Sequence, residues 1–244
     1  MKVIGVVQAR MGSVRLPGKV LMPIAGIPAI DLLLKRLDNA TTLDEVIVAT
    51  SSSQQDDILA EHLRDLGIYY FRGDENDVLS RFLEINARVQ PDVIVRLTGD
   101  CPFLDPAVVD SVVNELISKS AEYSSNVEPP TFPHGFDVEA FTSDLLEWTQ
   151  NHPDSMKSIE HVTTLMRETS SIKRANLNSG GEYAHIRVTL DNPEDLIVIQ
   201  NVASRVSNIL GFKWNEVVEL HESNPELFLA NSRLIVRGPR PEGF

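Results

Sequence analysis

Residues 6–26 read VVQARMGSVRLPGKVLMPIAG, an apolar run opening into a loop that carries Arg10, Gly12, Ser13, Arg15, Gly18 and Lys19. Two guanidinium forks and an ammonium suit a compact polyanion, because arginine meets phosphate oxygens bidentately and lysine adds a point charge. The glycines permit close backbone approach to such a ligand. The spacing excludes the P-loop of NTPases, which requires G-x-x-x-x-G-K-[ST]. Here five residues separate Gly12 from Gly18, and Val20 stands where a metal-binding hydroxyl is needed. No G-x-G-x-x-G follows an apolar run, so the usual dinucleotide fingerprint is absent as well. A surface turn with solvated charges is the competing account of the loop.

Carboxylates supply the second set of candidates. LTGDCPFLDP places Asp100 where a strand would end, and a carboxylate near a triphosphate suits magnesium, which typically takes one or two protein carboxylates plus substrate phosphates. A capping or turn aspartate fits the same position. In VTLDNPEDL, Asp191 ends an alternating run and Asn192-Pro193 opens a helix, with Asp195 one turn on as a favourable first-turn charge. In PHGFDVEAF, Asp137 and Glu139 share a face at strand spacing, with His134 beside them; they would grip sugar hydroxyls or simply decorate a surface. Cys101 is expected to be inert, since a nucleophilic thiol needs a paired base.

These residues need a frame. KVIGVV, EVIVAT, IYYF and DVIVRL have the length and β-branched content of buried strands. Between them lie helical patterns: Ile58, Leu59, His62, Leu63 and Leu66 on one face, then Leu79, Phe82, Leu83 and Val89 on another. Asp105-Pro106 supplies an N-cap and first-turn proline for a helix that buries Val108, Val109, Val112, Val113 and Leu116. Strand alternating with helix predicts right-handed βαβ units and a parallel sheet. Beyond about residue 120 the pattern loosens. EYSSNV, GFDVEAF and YAHIRVTL read as strands, and helices are expected around 142–150 and 155–168. The expected organisation is one domain over residues 1–228 and a poorly ordered tail over 229–244, rich in Pro, Gly and Arg.

Of 244 residues, 22 are Lys or Arg and 35 Asp or Glu, a net charge of -13 that argues against nucleic acid or an anionic membrane as partner. The first acidic residue is Asp31, so the opening segment is a cationic island. One cysteine permits no internal disulfide, no run of apolar residues is long enough to span a bilayer, and MKVIGVVQAR is too short for a signal peptide. A cytoplasmic location is expected.

The pattern A-R-x-x-S-x-R-x-P-x-K, met here as Ala9-Arg10, Ser13, Arg15, Pro17 and Lys19, resembles the signature of sugar nucleotidyltransferases. The chain is most similar to the cytidylyltransferase family, of the CMP-sugar synthetase and spore-coat polysaccharide type. G-D-x-P at Gly99-Asp100, G-x-D-V-E at 135–139, E-H-V-T at Glu160-His161 and D-N-P-E-D-L at Asp191 belong to the same resemblance, with Asn192 standing where the family has Thr. FRGDENDVLSRF does too, and offers Arg72, Asp77 and Arg81; an Arg–Asp structural pair is the simpler account of that stretch. The resemblance implies an α/β, three-layer Rossmann-like nucleotide-diphospho-sugar transferase fold with a mostly parallel mixed central sheet. It implies CTP held by Ala9, Arg10, Gly12, Ser13, Arg15, Lys19, Ser51, Arg72 and Asp100, with Arg10, Arg15, Lys19 and Asp100 acting in catalysis. Ser51 sits in ATSSS after the second strand, where a helix N-cap explains it equally. The resemblance further implies a sugar met by His134, Asp137, Glu139 and Glu160, Mg²⁺ on Asp100 and Asp191, and a homodimer. The implied reaction joins CTP to a sugar acid or sugar phosphate, giving a CMP- or CDP-sugar and pyrophosphate. The rival readings are a guanylyl- or uridylyltransferase on the same fold, a nucleotide-sugar-dependent glycosyltransferase, which would usually show D-x-D, and a non-catalytic nucleotide-binding protein.

Overall fold

The computed structural model describes residues 1–234. Its strands are β1 (Val3–Gln8), β2 (Pro23–Ile24), β3 (Ile27–Pro28), β4 (Glu45–Ser51), β5 (Tyr70–Gly73), β6 (Val93–Thr98), β7 (Tyr123–Ser125), β8 (Glu139–Thr142) and β9 (Arg174–Asn176). The helices are α1 (Ala29–Leu37), α2 (Asp57–Asp65), α3 (Val78–Val89), α4 (Pro106–Ser118), α5 (Ser143–Asn151), α6 (Thr164–Glu168), α7 (Pro193–Ala203) and α8 (Trp214–Ser223).

The four β-branched runs form the parallel part of one seven-stranded sheet, ordered β5-β4-β1-β6-β8-β7-β9. β8 pairs antiparallel with both β6 and β7, which makes the sheet mixed. Side-chain alternation in β1 feeds both faces. Val3 and Val7 join a core with α1, α2, α4, α7 and α8, while Ile4 and Val6 join a second core with α3, α5 and α6. This is the expected three-layer α/β arrangement. The chain moves outward from β1 to β4 and β5, then returns to β6 on the other side of β1. That reversal opens a crevice at the C-terminal ends of β1 and β6, where ligands of open α/β sheets bind.

Local signals behave as chemistry dictates where they are strong. Asp105 caps α4 by accepting from the Ala107 amide at 2.9 Å, with Pro106 in the first turn. Other expectations change. Ile58 and Leu66 are exposed and α2 buries Leu59, Ala60 and Leu63 instead, because its inner face is narrower than the apolar stripe. The helix expected over 155–168 breaks into a 3₁₀ turn, Ser155–Ser158, and α6, with Val162 between them at φ 47°. YAHIRVTL is extended but joins no ladder. Among the described residues its one bridge is between Arg187 and the loop residue His134, and the sheet ends at β9. A 3₁₀ segment, Pro225–Asn231, packs on α7 and α8 and buries Asn231. Residues 235–244 of the expected tail lie outside the described residues.

Candidate active site

A cleft of about 740 Å³ occupies the crevice. Gly99 lets its two main strands meet there: its amide donates to the Gln8 carbonyl at 2.9 Å, and a Cβ at this position would stand 2.9 Å from the Ala9 methyl. Gly18, at φ 73°, turns the arginine loop back so that Lys19 starts a short 3₁₀ turn with its side chain in the cleft.

Lys19 Nζ donates to Asp100 Oδ2 at 2.8 Å and to Asp191 Oδ1 at 3.0 Å. Arg15 also pairs with Asp191. Two acids far apart in sequence thus converge on one ammonium. The backbone explains how: the Leu190 amide and the Thr189 hydroxyl both donate to the Asp100 carbonyl, at 2.7 and 3.1 Å, stapling the 186–190 segment to the end of β6. Burial acts to lower the Lys19 pKa, but Asp100 and Asp191 together outweigh it and hold the ammonium above the ordinary lysine value. Burial acts to raise Asp100, and Lys19 with the Thr98 hydroxyl outweighs it, so that carboxyl stays below its usual range. Both groups are therefore charged at neutral pH. Asp100 and Asp191 are two carboxylates within 3.0 Å of one cationic nitrogen, a donor set that fits a hard divalent ion completed by phosphate oxygens. Among the described residues no cluster of three or more His, Cys, Asp or Glu could hold a metal by itself.

Ala9, Arg10 and Ser13 line the same cleft, whereas Gly12 lies beside the Gln55 and Glu75 side chains. Ser51 and Arg72 are engaged elsewhere. Ser51 is fully buried with its hydroxyl on Asp56. Arg72 donates to the Ser51 and Ser53 carbonyls at 2.8 and 2.9 Å and pairs with Asp57 at 2.7 Å. Both tie the end of β4 to its neighbours, and neither lines the cleft. Asp77 caps α3 through the Ser80 amide at 2.8 Å. Arg81, in contrast, lines the cleft while almost wholly buried.

His134, Asp137, Glu139 and Glu160 line the cleft too, joined by His161, Arg96 and Arg167. Asp137 precedes β8 and lies 3.7 Å from His134 Nε2. Glu139 is 5 % exposed, and its carboxylate is taken by Arg96, by the Tyr123 hydroxyl at 2.6 Å and by the Thr163 hydroxyl at 2.7 Å. Three of the carboxylate's roughly four acceptor sites are thus taken by protein donors, while the residue still lines the cleft. Asp195 is the first-turn charge read in the sequence, the third residue of α7 in a capping box with Asn192, and it does more besides. It is fully buried and accepts from Arg187, from Asn231 and from the backbone of Asp191 and Asn192. Arg187, Arg96 and Arg167 escaped sequence reading because single arginines in strand-like or helical runs carry no local signal. Cys101 is buried beside Thr98.

The family model for cytidylyltransferases matches residues 4–179. The chain belongs to the cytidylyltransferase family. This cytidylyltransferase is 32% identical to the spore coat polysaccharide biosynthesis protein SpsF of Bacillus subtilis over 228 residues, 91% of this chain and 94% of that protein. A cytidylyltransferase from Leptospira borgpetersenii superposes with a TM-score of 0.88 at 31% identity, covering 93% of this chain and 97% of the other. The fold is shared with CMP:2-keto-3-deoxy-manno-octonic acid synthetase complexed with CTP, at TM-score 0.61 and 19% identity over 84% of this chain and 99% of that one. The chain is thus an enzyme of the nucleotidyltransferase class. The family match stops short of Asp191, but the longer relatives span that region as well.

Proposed function

We propose that this enzyme transfers the cytidylyl group of CTP to an anionic sugar, a sugar acid or a sugar phosphate, and releases pyrophosphate. The single observation that carries this reading is the convergence of Lys19, Arg15, Asp100 and Asp191 at the mouth of the parallel strands. A cationic cluster facing paired carboxylates is what a nucleoside triphosphate and its divalent ion require together. The relatives support the direction: SpsF is named for polysaccharide biosynthesis, and the octonic acid synthetase is described with CTP.

An acceptor oxygen attacks the α-phosphorus, the bond to the β-phosphate oxygen breaks, and pyrophosphate leaves. A sugar hydroxyl yields a CMP-sugar and gives up its proton; a sugar phosphate yields a CDP-sugar and needs no base. Arg10, Arg15 and Lys19 neutralise the β- and γ-phosphates as charge accumulates on the leaving group. Arg15 and Lys19 exchange carboxylate partners for phosphate oxygens when the triphosphate enters. Asp100 and Asp191 would hold Mg²⁺, which when bound polarises the α-phosphate. His134 and Asp137 orient the acceptor in the cleft, and the Gly99 floor keeps it close to the nucleotide.

Incubation with each of the four NTPs, Mg²⁺ and a panel of sugar acids and sugar phosphates tests this through pyrophosphate release. Turnover confined to CTP is expected. Equal or better turnover with GTP or UTP, or activity only with a preformed nucleotide-sugar, would overturn it.

A further inference from the structure

Arg187 is 7 % exposed and touches groups assigned to both the metal and the acceptor. On its buried side Nε and Nη2 donate to the two oxygens of Asp195, each at 2.8 Å, a bidentate pair. Asn231 Nδ2 donates to Asp195 Oδ1 at 2.9 Å and to the Arg187 carbonyl at 3.0 Å. The 3₁₀ segment after α8 therefore locks the pair from behind. On its cleft side Nη1 lies 3.1 Å from His134 Nδ1, and Nη2 lies 3.8 Å from Asp191 Oδ2.

A guanidinium has five N–H donors and no acceptor. His134 Nδ1 must therefore accept, and the proton of the neutral ring sits on Nε2. Nε2 is the nitrogen on the Asp137 side, 3.7 Å away, and both residues line the cleft. The clamp leaves Arg187 no second orientation, because rotating it would break two charge-assisted bonds to a buried carboxylate.

We propose that Arg187 is a positioning residue that fixes His134 as the Nε2–H tautomer, a hydrogen-bond donor to the acceptor substrate, and that Asp195 and Asn231 hold Arg187 in that role. This rests on the reading of His134 and Asp137 as the acceptor site. It changes the assignment of work within the reaction: His134 presents a proton where a general base would present a lone pair. Lysine cannot replace Arg187, because one ammonium cannot span the Asp195 fork and the imidazole together.

The test starts with the intact chain labelled with ¹⁵N-histidine. Two-bond ¹H–¹⁵N spectra report the tautomer, and His134→Gln assigns the signal. The expected wild-type pattern is Nε2–H; a proton on Nδ1 overturns the proposal whether or not any sugar is turned over. Asn231→Ala, which spares both ion-pair partners, and Arg187→Lys should both shift the His134 signal toward a mixture of tautomers. An unchanged signal in a folded Arg187→Lys overturns the clamp, and Asn231→Ala keeps that test open if the lysine variant does not fold. In kinetics Arg187→Lys should lower kcat/KM for the sugar roughly 10–100-fold, the range seen for outer-shell partners, with little change in CTP KM. His134→Gln, which keeps a donor, should retain more activity than His134→Ala; the reverse order overturns the donor role. Absence of turnover in a wild type that shows the Nε2–H pattern would sink the proposed function and leave this clamp standing.

Discussion

Asp100 and Asp191 share one ammonium, Lys19 Nζ, at 2.8 and 3.0 Å. The pair is an anionic pole that carries its own countercharge in Lys19. A divalent ion or a triphosphate entering the site must rearrange that contact.

If Asp100 holds the divalent ion, Asp100→Asn removes a ligand's charge while keeping its shape. Such groups contribute several kcal/mol to the transition state, and each 1.36 kcal/mol is tenfold in rate. A loss of at least roughly a hundredfold in kcat is expected, with a melting temperature close to wild type. Pyrophosphate release and thermal unfolding measured on the same preparation check it, and near-normal turnover would remove the metal assignment.

Lys19→Ala takes the shared cation from Asp100 and leaves Asp191 to Arg15 and Arg187. Removing one partner of a partly buried pair destabilises, so the variant should melt a few degrees lower. Added Mg²⁺ should restore more of that loss than it adds to wild type, and the KM for CTP should rise. Differential scanning fluorimetry with and without MgCl₂ decides the matter; equal responses to Mg²⁺ in the two proteins would count against the shared pole.

Glu139 is held by protein partners on both oxygens, with Arg167 a further 3.9 Å away. Burial acts to raise its pKa, and Arg96 with the Tyr123 hydroxyl outweighs that, leaving it below the usual carboxylate range. A depressed folded pKa means that the unfolded chain takes up the proton first as pH falls. The stabilisation is complete at neutral pH and is lost below the ordinary glutamate value of about 4.3. Glu139→Gln should cost about 3 kcal/mol at pH 7 and flatten the acid limb of the stability curve. Chemical denaturation at pH 7 and at about pH 4 reads both effects.

His185 and His221 stack edge to face with ring centroids 5.3 Å apart, and His221 packs on Phe228 at 5.0 Å. Burial lowers both pKa values, and His185 lowers His221 further. Folding therefore favours the neutral rings. As pH falls through about 6.5 the unfolded state binds protons that the native state resists, and stability drops. The melting temperature should decline between about pH 7.5 and 5.5, and His221→Gln should reduce the slope. A parallel decline in the variant would assign the effect to other groups.

Legibility in the sequence followed the range of the forces involved. The Asp105-Pro106 cap and the β-branched strands of the parallel half act over a few residues, so their patterns predict them directly. The arginine loop was readable because its charges are concentrated in one segment. The meeting of Asp100 with Asp191 was not derivable from spacing, since it depends on Leu190 and Thr189 docking on a carbonyl contributed by another part of the chain. The roles of Ser51 and Arg72 were obscured for the same reason: their partners, Asp56 and the β4-end carbonyls, are placed by tertiary structure. YAHIRVTL has strand alternation because its inner face is buried, yet burial alone does not supply a partner strand. Asp195 and Asn231 had no readable pairing at all until the chain folded them together.

β8 runs against β6, and β7 and β9 follow beyond that seam. Loops of the parallel strands carry the positive grip, while His134, Asp137 and Glu160 come from segments outside them. Changes to the segments around 127–167 would therefore leave in place the strand ends that carry Arg10, Lys19 and Asp100.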